Sequence, residues 1–228
     1  MLVSRIGDYF NSFAVFGDLY WEATLETFAM VGYTLAISIV IGLVLGIVLV
    51  VTRPNHILPN PIVYPILNVI INILRSLPFI ILMVAIIPLT KFIAGTTIGV
   101  KGALVPLVFY TAPYIARLME SALLEVDRGV IEAYQAMGAT RTQIITRVLL
   151  KEARPGMILG ITIATIGLIG ATAMAGVVGA GGLGDVAIRF GYQRWEPDVM
   201  ITCVILLIVI VQAVQSAGEM IARRLRKR

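Results

Sequence analysis

Residues 24–51 run apolar with one charged side chain, Glu26, and no proline, until Thr52-Arg53-Pro54-Asn55 ends the stretch. At ~1.5 Å of rise per residue, such a run crosses a ~30 Å hydrocarbon core with some tilt. Lipid offers a backbone no hydrogen-bond partners, so the run must be helical and the chain reads as an all-α membrane protein.

The remaining residues fit that class. Hydrophobic residues make up 59% and charged ones 14% of 228, with a mean hydropathy of +0.95, which leaves room for about five transmembrane helices and short connections but no large soluble catalytic domain. The predicted spans are 24–51, 66–90, 100–119, 155–178 and 198–218. Asn68, Asn72, Arg75-Ser76 and Pro78 interrupt the second, which is expected to enter as an interfacial or protein-buried helix before crossing. Pro106 and Pro113 are expected to kink the third unless neighbours satisfy the freed carbonyls. The first 20 residues carry Asp8 and Asp18 rather than a basic start and an apolar core, so the first span is expected to act as its own targeting signal.

Charge sets the expected orientation. The net charge is +5, but Lys and Arg gather at the ends of apolar runs, which speaks for topology and against nucleic acid. The tail Arg223-Arg224-Leu225-Arg226-Lys227-Arg228 places the C-terminus in the cytoplasm. Counting back two spans puts 127–154 on the same side, and five spans put the N-terminus outside. Cys203 and His56, the sole cysteine and histidine, offer no disulfide, metal cluster or catalytic base.

The segment 127–154 is the one polar, basic island. Asp127 is placed to cap a helix with Val130, Ile131, Tyr134 and Met137 at helical spacing and Glu132 and Gln135 turned away, and Gly138 can take a left-handed stop. Thr140-Arg141-Thr142-Gln143 matches a capping box opening a second helix, with Ile144, Ile145, Val148 and Leu149 inward and Arg141, Arg147 and Lys151 outward. Periodicity alone allows two readings: helices lying on lipid headgroups, or a docking surface for a soluble partner.

Several chemistries are excluded. There is no G-x-x-x-x-G-K-[ST] segment and no His-Glu-x-x-His run, and Ser38, Ser76 and Ser216 have no histidine at hand. Gly179-x-Gly181-x-x-Gly184 follows a predicted span rather than a strand, so it reads as a flexible exit or a close-packing loop, not a dinucleotide site. An ion-coupled secondary transporter would call for acidic residues central in its spans and an internal repeat, and neither is visible. A pump of this composition draws its energy from another subunit.

Glu132-Ala133, four residues, Gly138, then a basic amphipathic helix resembles the EAA loop of ABC importer permeases. Together with Arg75-Ser76-Leu77-Pro78, Ala112-Pro113-Tyr114-Ile115-Ala116-Arg117 and Gly179-Ala180-Gly181-Gly182-Leu183-Gly184, the chain resembles the methionine-type permeases over nearly its whole length. Tyr134 stands where the general pattern has a small residue, and Lys151 where it often has proline.

The resemblance implies one transmembrane domain over 1–228 in a bacterial inner membrane, working as a homodimer with an ABC ATPase dimer and an external substrate-binding lipoprotein. ATP and Mg would bind the ATPase and no cofactor this chain. The cargo would be D- and L-methionine, with phosphonate or another amino acid as alternatives. Glu132, Ala133, Tyr134, Met137, Gly138, Ala139 and Arg141 would couple to the ATPase. Thr165, Thr172, Ala173 and Met174 are candidates to line or gate the path, since threonine hydrogen-bonds without charge and methionine is an adaptable plug. Gly42-x-x-x-Gly46 and Gly156-x-x-x-Gly160 would permit close helix contact.

Overall fold

The 24–51 run lies within a longer helix, α1 (Leu2–Thr52). The computed structural model describes residues 2–226, with side chains from Phe16 onward, and among these the regular structure is entirely helical. The other long apolar helices are α5 (Gly99–Leu124), α9 (Arg154–Gly176) and α11 (Pro197–Arg226). Helix α5 passes Pro106 and Pro113 without interruption. Both prolines are buried, so packing on either side holds the helix together where its own ladder loses two donors.

The second expected span is not one helix. Helix α2 (Val63–Ser76) ends at Leu77, which is extended with ψ 129°, because the residue before a proline avoids helical geometry. After this break come α3 (Phe79–Ala85) and, past Ile86, α4 (Ile87–Ala94).

The fold divides into two compact units. The first comprises Met1–Leu35, Pro78–Val108 and Ile166–Ala213. Tyr20, Ala23, Leu183, Val186, Ala187, Val199 and Cys203 form a core within it. The glycine run after α9, expected as a flexible exit or a close-packing loop, is a fixed, closely packed corner. Gly181 and Gly182 hold φ of 85° and 81°, and the Gly182 amide donates to Glu26 Oε2 at 2.7 Å while that of Leu183 donates to Thr27 Oγ1 at 2.9 Å. A Cβ on Gly181 would sit 2.5 Å from the Glu26 carboxylate, so only glycine fits. The short helix α10 (Gly182–Val186) and a π-helical turn (Ala187–Tyr192) continue from this corner.

The second unit comprises Ala36–Leu77, Phe109–Thr165 and Val214–Arg228. Here Gly42 and Gly46 bring α1 against α5, and a Cβ on either would meet Ile115 or Met119 at 2.6 Å. Gly156 and Gly160 seat α9 on the same helix, beside Ala122 and Leu118. Under this crossing lies a core of Val50, Val51, Ile57, Leu123, Ile131, Ile144, Leu149 and Ala153.

Candidate functional site

The polar island folds as two capped helical segments. Asp127 Oδ1 accepts from the Gly129 amide at 2.6 Å and opens α6 (Arg128–Ala136). Gly138, at φ 80°, turns the chain, and Thr140 and Gln143 close a reciprocal capping box. The second segment starts as α7 (Arg141–Gln143), widens into a π-helical stretch (Ile144–Leu149) and ends as α8 (Leu150–Glu152). Ile144, Val148 and Leu149 are buried and Arg141, Arg147 and Lys151 exposed.

The first segment departs from expectation. Of its four apolar positions only Ile131, at 8% exposure, is buried, whereas Val130, Tyr134 and Met137 are 37%, 40% and 71% exposed. At ~100° per residue, Val130, Tyr134 and Met137 form one flank beside the Ile131 seat and Glu132 the other, while Gly129, Ala133 and Ala136 lie opposite that seat. Helix α6 is therefore held to its own chain by one side chain and displays the rest. An apolar flank, a crown of small residues allowing close backbone approach and an acidic flank suit insertion into a groove. Ala139 is partly buried against the core below.

The path candidates are not brought together. Thr165 and Thr172 are 6% and 2% exposed, and their hydroxyls donate to the Ile161 and Ile169 carbonyls of their own helix at 2.8 and 2.7 Å. Ala173 is partly buried. Only Met174, 53% exposed, presents its side chain at the surface. The hydroxyls of Thr165 and Thr172 have thus spent their one donor on the preceding turn, which leaves only their acceptor lone pairs.

A polar cluster in the second unit was not singled out from the sequence. Arg117 donates to Glu120 Oε2 at 2.5 Å and to Asn68 Oδ1 and Asn72 Oδ1 at 2.6 and 2.7 Å, and Glu120 is buried. Arg75 lies over the Tyr114 ring, 5.7 Å from its centroid. The polar residues that interrupt the second apolar run thus sit at i, i+4 and i+7 on α2, facing α5. That spacing was the available signal.

His56, in the turn after α1, is half-buried with its pKa below the usual 6.5, first through burial and then through Arg128 and Arg53. Among the described residues no group of His, Cys, Asp and Glu is arranged to hold a metal ion.

Comparison with known proteins follows this geometry. Residues 38–227 match the model of the "Binding-protein-dependent transport system inner membrane component" family. The chain is 48% identical to the "Probable D-methionine transport system permease protein MetI" of Vibrio cholerae over 93% of this chain and 94% of that protein. It is 43% identical to the "Methionine import system permease protein MetP" of Bacillus subtilis over 91% and 94%. Among solved structures, a chain of the MetNI methionine ABC transporter in an inward-facing conformation superimposes with a TM-score of 0.89 at 47% identity, covering 91% of this chain and 96% of that one. By the family match over most of its length and by these relatives, the chain belongs to the binding-protein-dependent transport system inner membrane components.

Proposed function

We propose that this chain is the permease subunit of an ATP-driven importer that carries methionine into the cytoplasm, working as a homodimer on a separate ATPase dimer. Relatives at 48% and 43% identity are named as permease proteins of methionine transport or import systems, and the match spans 94% of each. The observation that carries the mechanism is α6: a capped helix anchored by Ile131 alone, with Val130, Tyr134 and Met137 uncovered.

In this reading 127–154 and the C-terminus face the cytoplasm, the N-terminus lies outside, and an external binding protein delivers D- or L-methionine. ATP and Mg bind the ATPase, since this chain has no P-loop. Helix α6 enters a groove on the ATPase crown first, with Gly129, Ala133 and Ala136 leading, Tyr134 and Met137 on one wall and Glu132 on the other. Gly138, Ala139 and Arg141 set the corner between the two helical segments. Closure of the ATPase moves this corner and opens the path outward, and hydrolysis resets it. Of the gate candidates, Met174 is retained on its exposure; Thr165 and Thr172 become packing residues.

The test is uptake of radiolabelled methionine into vesicles holding permease, ATPase and binding protein. Burying an apolar side chain contributes about 1.5–3 kcal/mol, so Tyr134→Asp, exposed in the free chain, is expected to lower uptake and coupled ATP hydrolysis at least tenfold while membrane insertion stays normal. Glu132→Lys and Gly138→Asp are expected to do the same. Normal uptake in all three variants would sink the coupling assignment, and accumulation of a different solute by the wild type would reassign the cargo.

A further inference from the structure

A cavity of about 180 Å³ lies within the first unit, between α3, α4, the start of α5 and the chain after α9. Its wall is mostly apolar, with Met83, Val84, Ile87 and Val178, and no titratable side chain lines it. Besides the exposed Thr97, two polar features break that wall. Thr90 is 3% exposed, lines the cavity and has no partner for its hydroxyl. Gly102 also lines it, and the carbonyl of Gly102 lacks its helical donor because Pro106, four residues on, has no N–H.

An unpaired buried hydroxyl costs about 1–3 kcal/mol, a cost that Thr165 and Thr172 avoid by bonding to the preceding turn. Thr90 does not, and among the buried threonine hydroxyls without a partner, those of Thr34, Thr90 and Thr111, it is the one that lines this space, which is somewhat larger than the ~150 Å³ cavities that admit benzene. A lipid tail would fill the volume and leave both polar groups unpaired. A charged side chain would find no counter-ion.

We propose that this cavity is a transit site for a small net-neutral amino acid with an unbranched apolar side chain. The Thr90 hydroxyl donates to the carboxylate, the Gly102 carbonyl accepts from the ammonium, and the side chain lies along Met83, Val84 and Ile87. The site rests on the methionine reading and gives it a place in the fold. It also assigns the permease a share of selectivity, by refusing side chains that carry charge.

The experiment uses the complete transporter in proteoliposomes, with Thr90→Val, Thr90→Ser and Met83→Ala, and co-purification with the ATPase as the control for folding. Loss of one hydrogen bond to a charged group predicts that T90V lowers methionine uptake at sub-saturating concentration about tenfold, whereas T90S stays within about twofold of wild type. Met83→Ala, which lengthens the pocket, is expected to shift preference severalfold from methionine toward ethionine. Wild-type uptake in T90V, equal loss in T90V and T90S, or an unchanged preference in Met83→Ala would each overturn the assignment and point to a lipid-filled groove. Failure of the wild type itself to accumulate methionine would overturn the methionine reading and this site with it, so the two failures are told apart.

Discussion

Arg117 and Glu120 put a charge pair where removal of one partner is costly. Arg117→Met would leave the Glu120 carboxylate, 4% exposed, without a cation, and breaking a buried pair costs about 3–5 kcal/mol. A marked fall in the thermal midpoint of the detergent-solubilised protein is expected, with much of it restored in the Arg117→Met, Glu120→Met double variant, where no charge is stranded. Equal destabilisation in the single and double variants would show that the pair acts through packing rather than charge. His56 makes a second prediction. Its folded pKa lies below 6.5, so the unfolded chain binds the proton more readily. The contribution of His56 to stability is full above about pH 6.5 and declines as pH falls through the folded value. His56→Gln should flatten the dependence of thermal midpoint on pH between about 5 and 7, and an unaltered slope would remove His56 as its source. Neither the charge cluster nor the perturbed histidine was legible in the sequence. Asn68, Asn72 and Arg75 read as defects in an apolar run, because a single sequence shows a polar stripe but not the helix across from it.

At the scale of elements, what was local was legible. Asp127, Gly138 and the Thr140–Gln143 box act within three residues of themselves, and each takes the geometry its side chain dictates. The close approach of α1 to α5 at Gly42 and Gly46 also follows from spacing alone, since two glycines four apart leave a groove on one helix face. Elsewhere local preference was overruled. Pro106 and Pro113 do not break α5, because they are buried in packed surroundings, while Leu77-Pro78 does end α2. The π-helical stretch Ile144–Leu149 has no local sequence signal. For α6, periodicity showed which residues share a face but not whether the chain's own core or a partner covers it. The partners of the glycine corner were not legible for a related reason. Glu26 and Thr27, which receive the Gly182 and Leu183 amides, lie 156 residues away in sequence.

For the whole molecule, α11 leaves Ile201, Val204, Ile205, Ile208 and Val209 uncovered, and α1 does the same along Ile37, Val40, Ile41 and Val44. Faces of that kind suit lipid or a second copy. With its ATPase, the purified permease is expected to hold two chains of 24.7 kDa per complex. Light scattering corrected for detergent would check this, and a single permease chain would contradict the homodimer.

The slender anchorage of α6 has a mechanical consequence. A seat formed by one isoleucine is worth only about 1.5–3 kcal/mol, so the helix resists little tension before it lifts from the chain beneath it. Under compression the same helix bears on Val50, Val51, Leu123, Ile144 and Leu149, a packed bed that yields very little. Such a joint transmits a push far better than a pull.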